Sequence, residues 1–243
     1  MCAVSDVTWA VGLTGGEWEL GELSHRFGTT LQILRGVDGW ELRCDTFCVA
    51  TKASMVRELA RDVVLLINGI ARLHLDNPDP IAVGNISHYR EGGGRDVFVF
   101  LDEARVRLRA GTPVVLVNGV AAPIPSWEPD VLLAAADERA LAVLSFLSGD
   151  PTWHSLYGAY ETIEKDRRTD GKRGIKRWAG VSSNQLDRLT ATANAFPVLG
   201  VEARHGVIGL RPPADPMGRP DAEALVRHIA LAWFAELRQL AVG

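Results

Sequence analysis

Arg204, His205 and Gly206 stand together in the stretch ATANAFPVLGVEARHG (191–206), where Pro197 and Gly200 make a turn. Arginine grips a phosphate or carboxylate with a fork of donors, and histidine moves a proton near neutral pH. Loops set on a rigid frame are where such side chains collect. Asn194 lies at the expected end of the preceding helix. Upstream, His154, Gly158, Glu161 and Lys165 follow at steps of four, three and four, which puts them on one helix face. Arg204, His205, Asn194 and Glu161 form the candidate catalytic set. Arg204 would stabilise phosphate charge, His205 would act as general acid or base, and Asn194 and Glu161 would orient them. The competing reading is structural. In it Arg204 pairs with a helix-end carbonyl or a carboxylate such as Glu161, and His205 fixes the loop by a hydrogen bond.

A second set is basic. Segment 165–177 (KDRRTDGKRGIKR) carries seven basic and two acidic residues in a chain of net charge −4. Arg167, Arg168, Lys172, Arg173, Lys176 and Arg177 are candidates for binding a nucleic-acid backbone, with Trp178 available for stacking. Asp166, Asp170, Gly171 and Gly174 interrupt the run, so the competing reading is a solvated connection between helices.

Other chemistry is removed by what is missing. Cys44 and Cys48 are four apart with no His-x-x-x-His or Cys-x-x-Cys to complete a zinc set, so no metal is expected and the thiols read as buried and inert. Gly92-Gly93-Gly94 lacks the Gly-Lys-Ser/Thr ending of a phosphate loop and reads as a hairpin turn. There is no Gly-x-Ser-x-Gly and no dinucleotide fingerprint, so no cofactor is expected. The densest aliphatic run, Val63 to Ile67, falls far short of the roughly 20 residues of a membrane helix. The start lacks a secretory pattern, and the expected compartment is the cytoplasm, with reduced thiols. Arginines number 22 against 4 lysines, which with the many alanines suggests a GC-rich bacterial genome.

The elements that position these residues read as follows. Apolar residues are 47% and charged residues 23%, ordinary for a folded protein. Glu17–Phe27, Thr29–Arg35 and Trp40–Asp45 alternate as strands do, separated by Gly28 and Gly36-Val37-Asp38-Gly39. Val56, Leu59, Val63, Leu66 and Ile70 form one helix face, with Thr51 or Ser54 as cap and Asn68-Gly69 as the stop. Ile81–His88, Asp96–Leu101, Ala104–Arg109 and Val114–Val117 read as further strands. Prolines 123, 125 and 129 mark a boundary. The second half predicts four helices: 130–147, one capped by Thr152, one opened by a Ser182–Gln185 capping box, and one with Pro220 in its first turn. The expected fold is α+β: an antiparallel sheet with one packed helix over 1–122, a linker at 123–130, and a helical bundle over 131–243.

From Tyr157-Gly158-Ala159-Tyr160-Glu161 through Thr192-Ala193-Asn194 to Ala203-Arg204-His205-Gly206 and the Trp233 helix, the chain resembles the C-terminal part of a family of uncharacterised bacterial proteins. Their pattern runs YxxYE, TAN, ARHG, helix. Trp40-Glu41-Leu42-Arg43 and Leu66-Ile67-Asn68-Gly69 resemble their N-terminal part. That resemblance implies a layout and no activity. More distantly, the helical half resembles the HEPN bundles, many of which are metal-independent ribonucleases of toxin and phage-defence systems. Their motif is an arginine followed four to six residues later by histidine. None of the six histidines here has that spacing, and Arg204 and His205 are adjacent instead. Two functions are expected from these readings: a binding or interaction protein without catalysis, or a HEPN-like ribonuclease using the Arg204-His205 loop. The corresponding partners are a protein or an RNA, with a homodimer through the helical half and no membrane.

Overall fold

Trp9, Val11 and Leu13 alternate with Ala10 and Gly12, and this short stretch forms the central strand of a five-stranded sheet. In a computed structural model of the chain, residues 8–28, 30–90, 92–100, 116–117, 120–121, 124–169, 174–176, 178–204 and 213–242 are described. The fold is α+β, and the chain divides into two compact units. One takes Met1–Ile67 and Asn77–Val131, the other Asn68–Asp76 and Leu132–Gly243.

In the first unit, strands β1 (Trp9–Thr14), β2 (Leu31–Gly36), β3 (Gly39–Cys44), β4 (Ala82–Tyr89) and β5 (Arg95–Phe98) lie in the order β2-β3-β1-β4-β5. All neighbours are antiparallel. Val11 is in register with Leu42 on one side and Ile86 on the other, and all three are fully buried. Ala10 on the opposite face is fully buried as well. A strand covered on both faces shows no alternation of polarity, so sequence periodicity does not reveal β1. On that opposite face Glu41 is buried and accepts the Tyr89 hydroxyl at 2.8 and 3.0 Å. Arg95 and Arg43 stand 3.7 and 3.8 Å from the same carboxylate.

Two expectations for this unit are corrected. Glu17–Phe27 is no strand: helix α1 spans Glu17–Ser24. Glu17 and Glu19 favour a helix start, and Glu19, Leu20 and Leu23 are buried at helical spacing. Helix α2 (Ala53–His74) does not stop at Asn68-Gly69. Val56 and Ile70 of the predicted face are fully buried, while Leu59, Val63 and Leu66 are half-buried beside the buried Ala60, Val64 and Ile67. The Gly92–Gly94 turn joins β4 to β5 as expected. Leu116–Val117 (β6) pairs with Val120–Ala121 (β7), while the predicted strand Ala104–Arg109 lies outside the described residues. Residues of the predicted linker 123–130 are fastened to this unit. Glu128 accepts from the Thr30 and Gly28 amides at 3.1 and 3.2 Å, and the Trp127 amide donates to the Arg26 carbonyl at 2.8 Å. Cys44 is a buried free thiol. Cys48 is disulfide-bonded, which departs from the expectation of an inert thiol there.

The second unit holds the last turns of α2 and most of α3 (Glu128–Ala136), with α4 (Glu138–Leu147), α5 (Trp153–Thr169), α6 (Ser183–Ala193), α7 (Phe196–Leu199) and α8 (Arg219–Val242). The single helix predicted over 130–147 is two helices. Asp137 leaves helical geometry and its carboxylate accepts the Arg139 amide at 2.8 Å, capping α4. Thr152 and the Ser182–Gln185 box cap α5 and α6 as predicted. Gly69 brings α2 against α4: a methyl group there would lie 2.3 Å from the Leu144 carbonyl oxygen. Arg72 pairs with Glu223 at 2.9 Å, and Arg227 donates to the Leu73 carbonyl at 2.9 Å. Leu144, Ile163, Leu189, Val226, Ile229, Trp233 and Phe234 fill the core. Among the described residues no helix is long and apolar enough to cross a membrane.

Candidate functional site

Helix α6 ends at Asn194, and the chain returns to that end ten residues later. Gly200 adopts a left-handed conformation (φ 58°), and the Ala203 amide donates to the Gly200 carbonyl at 3.1 Å. The Arg204 amide then donates to the Ala193 carbonyl at 2.9 Å. An orphan carbonyl at a helix end is satisfied, and the Arg204 side chain is delivered towards α5. Its guanidinium donates to Glu161 at 2.8 Å and lies over the Tyr157 ring, 4.8 Å from the centroid. The pair is partly solvated, with 34% of the Arg204 side chain and 51% of Glu161 exposed.

Of the catalytic set, Arg204 and Glu161 meet directly, and Asn194 sits beside the carbonyl that anchors Arg204. Its Nδ2 donates to the Thr190 carbonyl at 2.8 Å, while its Oδ1 is buried without a hydrogen-bond partner among the described residues. His205 lies outside the described residues. The arrangement of Arg204 is therefore the structural alternative that its sequence context left open: a carboxylate partner at Glu161.

Of the basic set, Arg167, Arg168 and Lys176 are described, and each stands against a carboxylate of its own. Arg167 is buried inside the second unit and not on its surface. It pairs with Glu236, donates to the Gly174 carbonyl at 3.2 Å and covers Trp178 at 3.7 Å from the ring centroid. The indole offered for base stacking is thus occupied by the chain's own arginine. Arg168 is exposed and pairs with Glu164 at 2.7 Å. Lys176 stands 3.7 Å from Asp187. Lys172, Arg173 and Arg177 lie outside the described residues. Glu164 also accepts the Ile175 amide at 2.7 Å, so it holds the far end of the basic segment against α5.

Tyr157 and Glu164 are site residues that the sequence analysis missed. Tyr157 was legible as a helical neighbour of Glu161, four residues on. Nothing in the sequence singles out Glu164, because its amide partner is eleven residues away across a loop. Glu161, Thr162, Glu164, Lys165 and Arg168 line an open depression along α5. Burial, with Glu164 nearby, pushes the Tyr160 hydroxyl up to about 12, so this phenol stays neutral at physiological pH. Among the described residues no group of three His, Cys, Asp or Glu could hold a metal ion. Comparison with protein families, curated proteins and solved structures finds no match to this chain.

Proposed function

We propose that this protein is a binding or interaction protein without catalysis, acting through its helical half. One observation carries the reading: Arg167, Arg168, Lys176 and Arg204 each stand against a carboxylate of the same chain. Binding a phosphate backbone draws its free energy from cations that displace counterions. A cation already neutralised by Glu236, Glu164, Asp187 or Glu161 gives little of that. A HEPN-like ribonuclease is the second reading. It has the buried Oδ1 of Asn194 in its favour, an acceptor beside the anchor of Arg204 that has no partner among the described residues.

The test is single-stranded RNA incubated with the pure protein at two salt concentrations, resolved first native and then denatured. The expected result is RNA that neither shifts nor shortens at physiological salt. Cleavage that disappears in His205→Ala overturns the proposal in favour of the ribonuclease. We also place the protein in a bacterial cytoplasm, on its composition. Alkylation of thiols at the moment of lysis decides this point: Cys48 is modified if the compartment is reducing and protected if it is not.

A further inference from the structure

Arg26, Arg35, Arg167 and Arg204 each lie over an aromatic ring and donate to a carboxylate of the same chain. Arg43 departs from that pattern. Its guanidinium lies 5.1 Å from the centroid of the Tyr89 ring, yet its carboxylate neighbour, Glu41, is 3.8 Å away, beyond hydrogen-bond reach. Its Nε is buried with no hydrogen-bond partner among the described residues. Arginine only donates, so this guanidinium calls for an acceptor that the described chain does not bring. Glu41 is engaged elsewhere, because the Tyr89 hydroxyl donates to both of its oxygens. Gly36 leaves room for that arrangement: a methyl group there would lie 2.2 Å from the Glu41 carboxyl carbon. Arg95 stands 3.7 Å from the same carboxylate, again without a hydrogen bond to it, and donates instead to Asp38. Gly12, in register with Glu41, shares this face of the sheet and places no side chain on it. The Arg43 and Arg95 side chains are 28% and 21% exposed, so solutes reach both, and Asp38 in the β2–β3 turn is 66% exposed.

We infer that Arg43 and Arg95 form a binding site for the carboxylate group of a small ligand, with Asp38 holding its place in the empty state. The site belongs to the first unit and goes beyond the interaction reading of the helical half. Two guanidiniums against Glu41 leave one positive charge, and Asp38 supplies the missing negative one. An exposed ion pair of that kind is weak, so Asp38 yields its position at small cost. A ligand carboxylate that replaces it on Arg95 also gives Arg43 its acceptor, in the planar geometry that a guanidinium fork matches. One negative charge restores neutrality, which favours a carboxylate over a doubly charged phosphate.

The experiment is a titration of the full chain with acetate, with chloride exchanged out to keep ionic strength constant. It is followed by the nuclear magnetic resonance of arginine Nε–H groups, and Arg43→Lys identifies the Arg43 signal. The expected result is a saturable shift of that signal, half complete at about millimolar acetate. Asp38→Asn removes the resident competitor and tightens binding at least about threefold, whereas Arg95→Lys weakens it at least about tenfold. Arg35→Lys, an arginine already bonded to Glu17, leaves it unchanged. Should Arg95→Lys fail to fold, Asp38→Asn carries the comparison. A shift that never saturates overturns the inference, as does acetate affinity that Asp38→Asn leaves unchanged. Phosphate binding as tightly as acetate overturns the assignment to a carboxylate.

Discussion

Arg204 is held by two residues one helical turn apart on α5: it donates to Glu161 at 2.8 Å and lies 4.8 Å above the Tyr157 ring. Both contacts are partly solvated, so each is modest. An exposed ion pair contributes about 0.2–1 kcal/mol and an exposed cation–π contact about 0.5–1 kcal/mol. Urea unfolding of Arg204→Ala, Glu161→Gln and the double variant should give a coupling energy of about 0.5 kcal/mol that shrinks in high salt. A coupling above about 2 kcal/mol would mean the pair is far more shielded than its exposure indicates.

Gly69→Ala sets two effects against each other. Alanine is favoured over glycine inside a helix by about 1 kcal/mol. At this position the new methyl group would lie 2.3 Å from the Leu144 carbonyl oxygen, which is backbone and cannot swing aside. Overpacking of this kind costs about 1–3 kcal/mol or more, so the clash wins. The variant should unfold at lower urea concentration than the parent, and a stabilised variant would show that α2 and α4 separate easily.

Asp137 couples a helix start to pH. Hydrogen bonds from Arg139 hold its carboxyl below the ordinary value of 3.8. The folded carboxylate therefore binds fewer protons than the unfolded one, and its contribution is full above the unfolded value and lost as pH falls through the folded one. Asp137→Ala should cost about 1 kcal/mol at neutral pH through the lost cap. The difference between parent and variant in thermal melts should narrow as pH drops below about 4. A difference independent of pH would sever the cap from the carboxylate charge.

Tyr160 should ionise late, at about 12 against the ordinary 10.0 of a phenol. Ultraviolet titration of the folded protein should show a delayed phenolate step that Tyr160→Phe removes. The unfolded chain releases this proton first, near pH 10, so the contribution of Tyr160 to stability falls as pH rises through that region. A Tyr160 step at the ordinary phenol value would show that the ring is wetter than its packing implies.

Local signals were legible in the sequence, and those that depend on distant partners were not. Ser182 with Gln185, Thr152, and Gly92-Gly93-Gly94 each act on their own few residues, so type and spacing were enough to find them. Strand β1 was hidden because both its faces are covered. Helix α1 was misread because Glu19, a charged residue, is buried: its carboxylate accepts the Asp79 amide at 3.1 Å, sixty residues away. Glu161 could be named as a partner for Arg204, since a loop arginine needs a carboxylate within reach. Glu236 could not be named for Arg167, because the choice among acidic residues is made by packing 69 positions downstream.

Neither unit is a continuous piece of chain. Residues 68–76 leave the ribosome before the sheet is complete, yet they belong with the helices that begin at Leu132. Arg72 must wait for Glu223, so during synthesis a basic side chain destined for burial stays solvated until nearly the whole polypeptide has emerged. Cutting the gene at the proline-rich stretch would therefore not release two self-sufficient halves. The N-terminal product would carry the tail of α2 without the helices it packs into. The C-terminal product would leave Glu223 without its arginine. Genetic dissection of this protein calls for keeping the chain whole, or for supplying both fragments together and asking whether they reassemble.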